Sequence, residues 1–63
     1  MQYVITGRRS SGEVLHYSKN GDFTAQDRIF RLFDTAKAAY GVLNNIETRW
    51  KGLELSVVVH KVY

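Results

Sequence analysis

One stretch of this 63-residue chain is patterned as a helix, and nearly everything around it is patterned as strand. The stretch opens on Asp34 and runs to about Arg49. Ala36, Ala39, Tyr40, Leu43, Ile46 and Trp50 recur at three- and four-residue steps, with Val42 beside them. Lys37, Asn44, Asn45, Thr48 and Lys51 fall on other sides. A lone amphipathic helix cannot bury its apolar stripe by itself, so its cover must be a sheet. Asp34 is placed as an N-cap, where a carboxylate accepts from first-turn amides and meets the positive end of the helix dipole. Phe33 and Ala38 are spaced for a weak hydrophobic staple. Gly52 is placed to end the helix, with Arg49 and Lys51 at its negative end. Gly41 costs a helix interior up to about 1 kcal/mol relative to alanine. A close helix–sheet approach at Gly41 is the expected reason for tolerating it.

The flanking segments supply the strands. Residues 2–8 are rich in Tyr, Val, Ile and Thr, and residues 13–18 read "EVLHYS". Between them "GRRSSG" (7–12) is a turn bracketed by glycines, short enough to imply an antiparallel hairpin. "KNGD" (19–22) carries an Asn-Gly turn signal, and Phe23-Thr24 extends a second hairpin briefly. "TAQD" reads as loop or a single helical turn. "RIFRLF" (28–33) reads as a short strand, although Ile29, Leu32 and Phe33 also fit helical spacing. "LELSVVVHKVY" (53–63) is the last and longest strand. The expected fold is a single α+β domain over residues 1–63, in the order β-β-(β)-α-β. One helix packs on one face of a three- or four-stranded antiparallel sheet.

Size narrows what such a fold can do. A chain this short buries only about 60% of the surface its unfolded form exposes, so the core is small. There is no cysteine, hence no disulfide and no thiolate metal site. The first residues carry no signal-peptide pattern, and the longest apolar run is Val57 to Val59, so a soluble, cytoplasmic protein is expected. Nine Lys and Arg against six Asp and Glu leave a formal charge of +3, a modest excess interspersed with acids along the chain.

Strand alternation then sorts the side chains. In the last strand Leu53, Leu55, Val57 and Val59 form one face, the natural cover for the helix. Val4, Val14, His16, Val58, His60 and Val62 fall on the other face, which one helix leaves bare. An antiparallel sheet with one wet face normally alternates more cleanly, so these residues read as a contact surface, with Arg8 and Arg9 at its rim. The bland alternative is surface valine chosen for β propensity. His16 and His60 make at most half of a zinc site, and no spacing supplies the remaining ligands, so no metal is expected. No serine or carboxylate is marked as activated. Neither enzymatic activity nor a cofactor is therefore expected. The "GRRSSGE" loop lacks P-loop spacing. Nucleic-acid binding is the alternative function, using Arg8, Arg9, Arg28, Arg31 and Lys61 with aromatic stacking partners. A structural homodimer is the third.

The parts "YVI" (3–5), "YSKNGDFT" (17–24), "FDTAKAA" (33–39) and "LELSVVVHKV" (53–62) together resemble small phage-encoded accessory proteins, among them anti-CRISPR proteins and phage inhibitors of host polymerases. The resemblance covers nearly the whole chain, and its motifs are structural. It implies a non-enzymatic module that binds and blocks a host protein in the host cytoplasm. Many such surfaces are acidic mimics of nucleic acid. This chain is basic, so steric or allosteric blocking, or induced dimerisation of the target, is the implied mode.

Overall fold

Strand β1 (Gln2–Arg8) is the axis of the fold. The computed structural model describes residues 1–26 and 29–60. β1 pairs antiparallel with β2 (Val14–Tyr17) on one side and with β4 (Glu54–His60) on the other. β3 (Phe23–Thr24) adds outside β2, giving the order β3-β2-β1-β4. Helix α1 (Ala36–Ile46) lies across one face, and the two-layer α+β architecture is as expected. The β1–β2 register sets Thr6 opposite His16 and Gly7 opposite Leu15. On the other side Ile5 faces Val57 and Gly7 faces Leu55.

The core sits between α1 and the odd-numbered face of the sheet. Ala39, Leu43 and Ile46 meet Ile5, Tyr17 and Phe33, with Tyr3, Phe23, Trp50, Leu55 and Val57 packed around them. Each fully buried aliphatic or aromatic side chain contributes about 1.5–3 kcal/mol. Crowding is greatest at Gly7. A Cβ there would stand 2.9 Å from Leu53 Cδ1 and 3.0 Å from Phe23 Cε1. The glycine expected to close a hairpin loop is therefore a packing residue of the central strand. The turn itself closes through Arg9 N–H donating to Glu13 O at 2.8 Å, with Gly12 at a positive φ of 94°.

Several helix details differ from the sequence expectation. The N-cap is Thr35, whose hydroxyl oxygen accepts from Ala38 N–H at 3.1 Å. Asp34 precedes it. Threonine meets the same requirement one residue later, and two adjacent cap formers are not separable by pattern. α1 stops at Ile46, and Arg49 N–H turns back to Ile46 O at 2.9 Å. Gly52 thus lies in the following turns rather than at the helix end. Trp50 leaves the helical stripe and meets Phe23 edge-on, with ring centroids 5.1 Å apart. Tyr40 is 51% exposed. Gly41 is exposed too, and a Cβ there meets nothing within 4 Å, so no close approach compensates for it.

The strand expected over 28–33 does not form as a regular element. Arg28 lies outside the described residues. Among residues 29–33, Ile29 lies in a 3₁₀ turn, and Phe30 and Phe33 each make one isolated bridge. β1 and β2 diverge beyond Thr6 and His16, and this segment enters the gap. Arg31 N–H donates to Tyr17 O at 2.9 Å, and Phe33 exchanges two 2.8 Å bonds with Tyr3. Bridges form at Ser18↔Phe30 and Tyr3↔Phe33. Phe30 and Phe33 point to opposite faces, as residues three apart do in a strand and not in a helix.

Candidate interaction surface

The even-numbered side chains share the second face as alternation requires. The registers bring Val4 beside Val58, and Thr6 between His16 and Ser56. Half of this face is nevertheless closed. Phe30 lies flat on His16, with ring centroids 4.1 Å apart and planes 21° from parallel. Val4 is only 1% exposed and has no surface to offer a partner, so the sequence expectation of Val4 as a contact residue is corrected. Thr6 is also buried and shares a 2.8 Å hydroxyl–hydroxyl bond with Ser56. The inserted segment closes the β2 half: its bridge at Ser18↔Phe30 accompanies the Phe30 ring over His16.

His16 is half-buried, and its Nδ1 is buried with no hydrogen-bond partner. Burial lowers its pKa below the ordinary 6.5, and the like charge of His60 pushes the same way. A neutral imidazole under a phenyl ring is therefore a packing group here. Among the described residues no three His, Cys, Asp or Glu side chains gather to hold a metal ion.

The β4 half of the face is open. Val58 is 40% exposed on this side of the strand, and Ser56 and Glu54 are exposed with it; His60 is partly so. Val59, expected under the helix, is 42% exposed because it lies opposite Tyr3 at the outer margin, beyond the core cluster. β4 is thus a seven-residue edge strand with apolar side chains exposed on both faces. It has no Lys, Pro or Gly within it, the devices that normally blunt such an edge. Val14, 48% exposed, stands apart at the hairpin end of β2.

A second feature lies at that hairpin end. Arg9, Ser10, Arg49 and Lys51 line one groove of about 360 Å³, floored by Phe23 and Trp50. Arg8 borders an adjoining cleft and faces Glu54 across the β1–β4 ladder. Arg31 lies at the opposite end of the sheet, its guanidinium carbon 5.0 Å from the centre of the Phe33 ring. Of the described arginines expected to act together on nucleic acid, Arg8 and Arg9 lie together at the hairpin end, with Lys51 beside both and Arg49 in the groove that Arg9 lines. Arg28, Lys61 and Val62 lie outside the described residues.

Comparison with protein-family models, curated proteins and solved structures finds no match to this chain. No helix among the described residues is long and apolar enough to cross a membrane.

Proposed function

We propose that this chain is a non-enzymatic protein-binding module that makes its contact through the β4 edge and the strip of second face beside it: Glu54, Ser56, Val58 and His60. The observation that carries this reading is the seven-residue edge strand with Val58 and Val59 both exposed. An unpaired edge offers a row of backbone N–H and C=O groups to another strand, and exposed valines on either face add apolar contact. The resemblance to small phage accessory proteins supplies the class of role: inhibition of a host protein in the host cytoplasm by steric or allosteric blocking, without catalysis or cofactor. The basic charge fits that mode better than mimicry of nucleic acid. Val58→Glu tests the reading. The variant is expected to keep its melting temperature and to lose binding to a purified protein partner. Full binding by a stably folded Val58→Glu protein overturns it.

One observation favours a second reading, in which the chain binds nucleic acid. Arg9, Arg49 and Lys51 surround a groove floored by Trp50, which suits phosphate contacts beside a stacking surface. Titration with single-stranded DNA at two salt concentrations is the test. Salt-sensitive binding lost in Arg9→Ala/Lys51→Ala supports this reading, and salt-insensitive or absent binding ends it.

A further inference from the structure

We propose that β4 pairs antiparallel with β4 of a second copy of this chain, about a two-fold axis at Val57. The inference rests on the reading of β4 as the contact edge and names its occupant. Val57 is the middle residue of Glu54–His60. Pairing centred on it sets Leu55 opposite Val59, Ser56 opposite Val58 and Glu54 opposite His60, each contact occurring twice by symmetry. Directly opposed residues share a face. Leu55 and Val59 therefore meet on the helix side, where Val59 is otherwise exposed. Glu54 and His60 meet on the second face, a carboxylate against an imidazole N–H. Moving the axis by one residue destroys this match. Centred on Ser56, Glu54 faces Val58 and His60 runs beyond the partner strand. Centred on Val58, His60 faces Ser56 and Glu54 has no opposite among residues 54–60.

The strand is thus complementary to itself in hydrogen bonding and in apolar content, which singles out a second copy over an unrelated strand. The consequence for the sheet is also favourable. Two four-stranded sheets become one, the long edge is removed, and the outermost strands are the two-residue β3 of each copy. The two open strips of the second face then lie side by side across the axis.

Sedimentation velocity on the wild type, Glu54→Lys, His60→Glu and an equimolar mixture of the two variants tests the proposal. The wild type is expected to be a dimer. His60→Glu alone opposes two carboxylates twice, and Glu54→Lys alone removes the acceptor of the His60 N–H twice; each is expected to weaken the dimer about tenfold. The mixture is expected to recover the loss, because the ammonium of the Glu54→Lys variant then faces the new carboxylate of the His60→Glu variant, and the second pair is again Glu54 with His60. A monomeric wild type overturns the second-copy assignment and leaves the edge to a different protein. A dimer unmoved by either substitution overturns the pairing of β4 with a second copy; the reading of β4 as the contact edge is tested separately by Val58→Glu binding. Weakening by both variants without recovery in the mixture overturns the register about Val57. Thermal melts of the variants, whose changes lie at the strand ends, identify any loss that comes from unfolding.

Discussion

The two flanks of β1 are built on opposite plans. On the β2 side both faces are closed: Tyr17 and Phe23 pack under the helix, and Phe30 covers His16 on the other face. On the β4 side the helix face is covered at Leu55 and Val57 but open at Val59, and the second face is open at Val58. The closed flank ends in a two-residue strand, and the open flank ends in a seven-residue one. A domain this small has too little chain to cover both flanks. Its single inserted segment, residues 29–33, is committed to one, and the other remains available for contact with another chain.

The largest effect should come from uncovering the closed flank. Phe30→Ala removes a buried aromatic ring and is expected to cost about 3–4 kcal/mol in denaturant unfolding. A loss below about 1 kcal/mol would mean that this flank is as open as the other. Gly7→Ala should follow. Its new methyl group would press on Leu53 and Phe23, and overpacking costs about 1–3 kcal/mol.

His16 adds a pH dependence confined to the closed flank. Its folded pKa lies below the ordinary 6.5, so the unfolded chain binds the proton more readily. Its share of stability is present above pH 6.5 and is lost as pH falls through the folded pKa. Melting temperatures measured downward from neutrality should therefore fall, and His16→Phe should fall less steeply. An equal slope in that variant would assign the acid sensitivity elsewhere.

Gly41→Ala marks the contrast with Gly7. With no neighbour within 4 Å, the added methyl should stabilise the protein, by up to about 1 kcal/mol in thermal unfolding. A loss of stability would show that the exposed side of α1 is not free. The smallest effect belongs to the open flank. Val58→Thr should change monomer stability by no more than about 0.5 kcal/mol, because the side chain gives up little buried surface.

Much of this arrangement is legible in the residues themselves. The two-layer fold, the antiparallel hairpin and the parity of every strand follow from alternation and turn chemistry, and they place Val58, His60 and His16 on the second face correctly. What alternation cannot show is which part of that face is already covered. Val4 and Val58 are neighbours with the same chemistry, but Val4 is on an inner strand beside the path of residues 29–33 and is buried, while Val58 is on the edge and is exposed. That path depends on where β1 and β2 separate, a tertiary property. Gly7 and Gly41 show the same limit. Gly7 reads as a turn glycine and Gly41 as a close approach, and the side chains arriving from Phe23 and Leu53 put the close approach at Gly7 instead. The grouping of Arg49 and Lys51 with Arg9 depends on the turns after α1, where the periodic pattern runs past the true helix end.

Amide hydrogen exchange along β4, measured by NMR at low and high protein concentration, tests the open flank most directly. An edge strand leaves alternate amides without a partner, so only every second amide of residues 54–60 should be protected in dilute protein. At high concentration the remaining amides should become protected as well, while β2 is unchanged. Alternate β4 amides that stay unprotected at every concentration would contradict the pairing of β4 with a second chain.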